Sequence, residues 1–208
     1  MTVNNFAVFD ALDLGESLST TQGGFSVAEL HAMSYVARIL AFYSTPDSDW
    51  GYEFVATDTV TPFSDDLLEA FLWLVESGCF TRGTSETFLI TTSGMAMSAR
   101  LRSFGVYAWR ARFTEAAKQA LDAMTLPLLT SALRRDPQLG GGTSINGPRP
   151  LLSKAGRVPL RRDFLTLEAE LGTDVDLYVP AVIWLSFLSQ RGPLHASGAA
   201  LVPSDGMT

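Results

Sequence analysis

The sequence has few of the residues on which most catalytic and metal sites depend. Among 208 residues there is one cysteine, Cys79, and there are two histidines, His31 and His195. A single cysteine excludes an intrachain disulfide, and no pair of these residues has the spacing of metal ligands. Because neither Cys79 nor His31 lies in a recognisable nucleophile motif, we expect no catalytic residue, no metal and no cofactor. The expectation is a protein that is not an enzyme.

Long apolar runs are also missing. The most apolar stretch, residues 177–188, is short and contains Pro180 and Ser186, whereas a membrane-spanning helix needs about 20 apolar residues. The first residues have neither the positive region nor the long apolar region of a secretory signal. We therefore expect no membrane association and a cytoplasmic location, where a single thiol is compatible with reducing conditions.

Basic residues are scarce outside the middle of the chain. Residues 97–162 hold 12 of the 15 Lys and Arg residues and only three acids, whereas residues 1–96 carry two basic and 13 acidic side chains. Residues 163–208 carry one basic and six acidic side chains. A basic region between two acidic flanks suits contact with a polyanion, or with an acidic protein surface, through one region only.

Apolar residues are present in sufficient number for a sizeable core, since 47% of the chain is hydrophobic. Residues 1–24 are interpreted as an N-terminal arm whose apolar spacing suits either a short strand or a short helix. Helices are predicted over residues 26–43 and 64–77, each beginning at a serine that can cap it. Residues 52–57 alternate weakly, like a short strand.

A hairpin motif follows the second predicted helix. Residues 78–81 and 87–91 are predicted strands, and residues 82–85 form the turn between them. Thr91 is a predicted N-cap for a further helix that starts around Gly94.

This order of elements resembles that of winged-helix proteins over roughly residues 26–104. The matching residues are Leu74 and Gly78 at the end of one helix, followed by Phe88, Ile90, Thr91 and Gly94. The resemblance implies a winged-helix-like core in which the hairpin is the wing. The sequence departs from the usual pattern at residues 44–63, where loop and strand stand in place of one of the three helices before the wing.

The helix in front of the wing has unusual chemistry for this family. In DNA-reading winged helices it enters the major groove with basic or amide side chains. Here residues 64–77 contain four acids and no base, so that mode of recognition is disfavoured. The simpler interpretation of its large apolar residues is a place in the core. The sharper one is a protein interface anchored by Trp73.

A long amphipathic helix is predicted after the wing, over residues 105–126, with a kink at Pro127 and a continuation beyond it. Arg110 and Lys118 lie off its apolar stripe and are expected to face outward. Lys118 is expected to pair with Asp122 one turn later.

Residues 137–163 are predicted to form a Gly/Pro-rich basic loop. Such a loop suits either a phosphate backbone or the acidic face of this chain or of a neighbouring copy. Residues 140–144 resemble a phosphate cradle but lack its lysine, so a plain linker is the favoured interpretation. The candidate residues for contact with nucleic acid or another polyanion are Arg149, Lys154, Arg157, Arg161, Arg162, Arg110 and Arg112.

Residues 164–192 are predicted to form a C-terminal helical extension, with Pro180 in the first turn of its second helix, and residues 193–208 a loose tail. Residues 177–188 are apolar on all sides, so they require burial in the core or against another subunit. The candidate residues of a protein interface are Phe71, Trp73, Trp184 and Phe187.

The sequence thus predicts an α+β, mostly helical protein in which residues 25–136 form a winged-helix-like domain with a long following helix. The expected function is that of a non-enzymatic adaptor or accessory subunit in a multi-protein, nucleic-acid-associated complex, with itself or another protein as partner. The alternative is a DNA-binding transcriptional regulator that uses the wing and residues 97–162. A small enzyme based on Cys79 and His31 is the least favoured hypothesis.

Overall fold

The computed structural model describes residues 2–84, 86–140, 148–172 and 175–190. Helices predominate in these ranges and the strands are short, which confirms the α+β, mostly helical class. The helices are α1 (Asn5–Gln22), α2 (Val27–Ser44), α3 (Asp65–Glu76), α4 (Thr92–Arg102), α5 (Ala108–Ala123), α6 (Leu126–Leu133), α7 (Pro137–Gly140), α8 (Lys154–Leu171) and α9 (Tyr178–Gln190). None of these helices is both long enough and apolar enough to cross a membrane.

Two small antiparallel sheets accompany the helices. The strands are β1 (Val55–Ala56), β2 (Pro62–Phe63), β3 (Phe80–Arg82), β4 (Phe88–Ile90) and β5 (Arg149–Pro150). Strand β1 lies between β2 and β5 in one sheet, and β3 pairs with β4 in the other. Because β5 lies more than 90 residues after β1 in the sequence, the first sheet joins distant parts of the chain.

Helix α1 is central to the fold, in place of the arm expected from the sequence. It begins after Asn4, whose side chain accepts hydrogen bonds from two backbone N–H groups of the first turn, and it ends at Gly23 with φ +72°. Leu12, Leu14 and Leu18 are fully buried. The helix packs against α2, α3, α4 and α5.

The predicted helices at residues 26–43 and 64–77 are confirmed as α2 and α3. A reciprocal capping box starts α2: the Glu29 N–H donates to Ser26 Oγ over 3.3 Å, and the Ser26 N–H donates to Glu29 Oε2 over 2.7 Å. The Ser64 hydroxyl oxygen accepts from the N–H of Leu67 and starts α3.

The predicted hairpin is confirmed as β3 and β4, and Thr91 caps α4 as expected. Thr91 Oγ1 accepts from the N–H of Gly94 over 3.1 Å and donates to the carbonyl of Gly78 over 2.7 Å. A Cβ atom at Gly94 would lie 2.3 Å from the carbonyl oxygen of Cys79, so only glycine fits against this strand. The winged-helix resemblance itself stays a prediction.

The long helix predicted from residue 105 is divided into three elements. A 3-10 turn over Gly105–Tyr107 precedes α5, and α6 begins with Pro127 in its first turn. The two helices are separated by Met124, whose backbone is extended, so the chain breaks there and does not kink.

The prediction of a basic loop over residues 137–163 is largely wrong, because α8 begins at Lys154. The Ser153 hydroxyl oxygen accepts from the N–H of Gly156 over 3.3 Å and caps the helix. Pro159 lies within α8, where it costs one backbone hydrogen bond without ending the helix. Residues 141–147, which include most of the possible phosphate cradle, lie outside the described residues.

Helix α9 has Pro180 in its first turn, as predicted, and packs against α5 and α6. Its apolar residues Trp184, Leu185 and Leu188 are at most 3% exposed. The predicted tail at residues 193–208 lies outside the described residues.

Candidate functional site

Two deeply buried charged residues, Asp10 and Arg110, form a network between α1 and α5. Arg110 binds the carboxylate of Asp10 through two hydrogen bonds, Nε to Oδ1 and Nη2 to Oδ2, both 2.6 Å long. Its Nη1 donates to the carbonyl of Trp50 over 2.5 Å. The two side chains are 3% and 0% exposed. The prediction that Arg110 faces outward is therefore wrong, and its guanidinium has no open side for a phosphate.

Aromatic residues complete this network. Tyr52 Oη donates to Asp10 Oδ2 over 2.5 Å and lies 2.6 Å from the hydroxyl of Ser34. The guanidinium carbon of Arg110 lies 3.6 Å from the centre of the Trp50 ring, within cation–π distance. Burial works to lower the pKa of Arg110, but Asp10 and Tyr52 together raise it, so the arginine stays charged. Because every charged group has partners, this network is structural.

A second set of ion pairs lies one turn along α1. Asp13 is 2.5 Å from Arg102 Nε and 2.8 Å from Lys118 Nζ. Lys118 also lies 3.1 Å from Glu115, so the predicted pair with Asp122 is replaced by two other partners. Part of the basic middle region is thus neutralised by the acidic first helix.

The remaining candidates for polyanion contact lie in different environments. Arg149 and Arg157 are half-buried, and each donates to a backbone carbonyl, that of Gln138 and that of Leu152 respectively. The structure brings four candidates together in the first nine residues of α8: Lys154, Arg157, Arg161 and Arg162. Arg112 is exposed on a different helix, α5.

The four candidates for a protein interface separate into two pairs. Phe71 is 1% exposed and packs against Phe88, and Trp184 is 3% exposed and packs against Phe164. Both belong to the core of the chain, as the simpler interpretation held, and are no surface anchors. Trp73 and Phe187 are exposed, to 38% and 48%.

Trp73 lines a surface cavity of about 610 Å³ between α1, α3 and α4. Phe104, which follows α4, lies on the same cavity and is 45% exposed. We define the Trp73 surface by the residues that line this cavity from α3, α4 and the turn after α4: Trp73, Met97, Arg100, Leu101, Phe104 and Tyr107. Only Trp73 could be identified from the sequence, because the other residues join it through the tertiary fold.

Charged residues accompany the aromatic residues of the Trp73 surface. Arg100 is the one charged residue among the described residues that line the cavity, and it comes from α4. On α3, Glu69 and Glu76 lie about one turn before and after Trp73, and both are exposed. The aromatic residues of the surface are thus accompanied by a cation from α4 and by exposed carboxylates on α3. This composition suits contact with a protein.

The structure gives no support to chemistry at His31 and Cys79. His31 is 1% exposed, and its ring nitrogens lie 2.8 Å and 3.1 Å from the carbonyls of Val27 and Ser64. Burial lowers the pKa of His31 and raises that of Cys79. Within the described ranges, no three His, Cys, Asp or Glu residues are grouped to hold a metal ion.

Comparison with known proteins adds no family to this description. No protein-family model matches the sequence, and neither the curated proteins nor the solved structures give a match.

Proposed function

We propose that this chain is a non-enzymatic adaptor or accessory subunit that works by association, and that the Trp73 surface binds a second copy of the chain. The observation that carries the proposal is a cavity of about 610 Å³ with Trp73 and Phe104 left exposed beside it. Clustered aromatic side chains on a protein surface indicate an interaction site, and tryptophan is enriched among residues that dominate binding energy.

The charges around the surface support a second copy as the partner. In a two-fold symmetric dimer the same patch is contributed by both subunits, so the patch must complement itself. Pairing of Arg100 of one subunit with Glu69 or Glu76 of the other would supply this complementarity. The chain has both charges near Trp73, since Arg100 lines the cavity and the two glutamates are exposed on α3.

Light scattering at increasing protein concentration tests the proposal. The wild-type protein is expected to reach the mass of a dimer, and Trp73→Ala is expected to weaken the dimer by about 2 kcal/mol, or roughly 30-fold. Leu165→Ala is the matched control, because Leu165 is a large apolar residue that is 49% exposed on α8. A wild-type protein that stays monomeric, or a dimer that both substitutions weaken equally, would overturn the proposal.

A second candidate function is nucleic-acid binding through α8, as in a DNA-binding regulator. Lys154 is the first residue of this helix, Arg161 and Arg162 follow about two turns later, and no acid precedes Asp163 within it. The start of a helix is its positive end, where cations are unfavourable on their own and anions are favoured. A phosphate backbone would therefore be stabilised by both the helix and its side chains.

Binding to a labelled DNA duplex at several salt concentrations tests this second function. Changing Lys154, Arg161 and Arg162 together to Gln should reduce the slope of log affinity against log salt by about two to three. Arg134→Gln, which removes an exposed arginine from the end of α6, is the control. An unchanged slope in the triple variant would exclude α8 as the contact.

A further inference from the structure

A second cavity, of about 440 Å³, lies between α2, α8 and the loop at residues 47–53. Two arginines line it, Arg38 from α2 and Arg157 from α8, together with Ser48 from the loop. We define this cavity as the Arg38 pocket. It shares no lining residue with the Trp73 surface, so a ligand can occupy it whether or not the chain associates through that surface.

Arg38 is buried, and the hydrogen-bond partner of its guanidinium is a hydroxyl. Its side chain is 5% exposed, and its Nη1 donates to the hydroxyl oxygen of Ser48 over 3.3 Å. Among the residues that the structure describes, no carboxylate lies within ion-pair distance of this guanidinium. Arg110, by contrast, is equally buried but has the carboxylate of Asp10. A buried charge without a partner is costly, so such a group is expected to meet an anion from outside the chain.

The charges around the pocket agree with this expectation. Burial, followed by Arg157 and Arg110, lowers the pKa of Arg38 to about 10, and Asp49 opposes this shift. The neighbouring arginines thus destabilise the cationic form of Arg38. An anion in the pocket would stabilise that form again. Arg157 adds a second guanidinium, and its Nε is held by the carbonyl of Leu152.

Three acids also line the pocket. Asp47, Asp49 and Glu53 are all exposed, so water screens their charges. Asp49 is further held by the N–H of Gly51, which donates to its Oδ1 over 2.8 Å. The buried charge of the pocket is therefore that of Arg38, whereas its carboxylates are exposed.

We propose that the Arg38 pocket binds a phosphoryl group between Arg38, Arg157 and the Ser48 hydroxyl. Two guanidinium groups carry two positive charges and several N–H donors, which match a phosphate dianion better than a single carboxylate. The ligand is free phosphate or the phosphoryl group of a small phosphomonoester.

Isothermal titration of the full chain with inorganic phosphate tests the proposal, with acetate as the carboxylate comparison. Wild-type protein is expected to bind phosphate at least tenfold more tightly than acetate. Arg38→Gln and Arg157→Gln are each expected to weaken phosphate binding at least tenfold. Arg134→Gln, which removes an exposed arginine at the end of α6 that does not line the pocket, is the control and should bind as wild type does.

Adenosine monophosphate and adenosine distinguish the two sources of the phosphoryl group. If adenosine monophosphate binds more tightly than inorganic phosphate, the ligand is a phosphomonoester. If the two bind with equal affinity, the ligand is free phosphate. Adenosine that binds as tightly as its monophosphate would overturn the proposal, as would acetate that binds as tightly as phosphate. Wild-type protein that binds no phosphate, or phosphate binding retained in the folded Arg157→Gln variant, would overturn it as well.

Discussion

The network around Arg110 and the Trp73 surface invert the usual distribution of side chains. Charged Arg110 and Asp10 lie at the centre of the fold, whereas aromatic Trp73 and Phe104 are exposed. Arg110 and Asp10 have their partners within the chain, so they contribute to stability and have no free group for a ligand. The exposed aromatic residues Trp73 and Phe104 are not buried by the described part of the chain, so a binding function is expected at the Trp73 surface. Partners inside the chain, more than burial itself, distinguish a structural group from a functional one.

Arg38 extends this comparison to two residues of the same type. Arg38 and Arg110 are both at most 5% exposed, but only Arg110 has a carboxylate partner among the described residues. The same criterion therefore assigns Arg110 to the core and Arg38 to a ligand pocket.

The largest expected effect comes from breaking the Arg110 network. Arg110→Met leaves the carboxylate of Asp10 buried without a counter-charge, which should lower the free energy of unfolding by about 3 to 5 kcal/mol. Urea denaturation measures this loss. The double variant Asp10→Asn with Arg110→Met should recover part of it, because no buried charge remains. A single variant as stable as wild type would show that the pair is dispensable.

The two tryptophans give the next largest difference. Trp184→Ala removes a buried side chain and should lower the free energy of unfolding by about 3 kcal/mol. Trp73→Ala should cost under about 1 kcal/mol in the dilute monomer, because its side chain is partly exposed. Denaturation below the concentration of association compares them. Equal losses would place Trp73 in the core and contradict its role as a surface anchor.

A smaller effect is expected at Gly94, which seats α4 and hence one side of the Trp73 surface. Gly94→Ala places Cβ against the carbonyl of Cys79 and should cost about 2 kcal/mol in thermal or urea denaturation. Gly105→Ala is the matched control, since nothing lies within 4 Å of its added Cβ. Similar stability of the two variants would contradict the close approach of α4 to the hairpin.

The smallest effect is a pH dependence from His31. Burial lowers its pKa in the folded state, so the unfolded state binds the proton more readily once the pH falls below about 6.5. The free energy of unfolding should therefore decrease as the pH falls from there towards the lowered pKa. His31→Gln should remove this part of the pH dependence in parallel denaturation series. An identical pH profile for both proteins would show that His31 does not titrate in this way.

The elements that the sequence predicted are those with local signals. Ser26, Ser64 and Thr91 cap the helices that follow them, and the hairpin lies between two such helices. Each of these signals acts over a few residues, so it is readable without the tertiary fold.

The elements that could not be predicted from the sequence depend on distant partners. Asp10 and Asp13 interrupt the apolar pattern of α1, and their burial is explained only by bases about 90 to 100 residues later. In the sequence, glycine and proline residues such as Gly156 and Pro159 led to the prediction of a loop, whereas the structure has α8 at these positions. Arg38 had a readable signal, since it stands alone within the apolar sequence of α2, but its pocket is completed by Arg157 from a distant helix.

Charge reversal across the proposed dimer contact tests the central claim most directly. Sedimentation equilibrium should show that Arg100→Glu weakens the dimer, because it places like charges opposite each other. Adding Glu69→Arg and Glu76→Arg to that variant should restore the dimer, since the complementary charges are exchanged. A triple variant no more associated than Arg100→Glu alone would contradict self-association through the Trp73 surface.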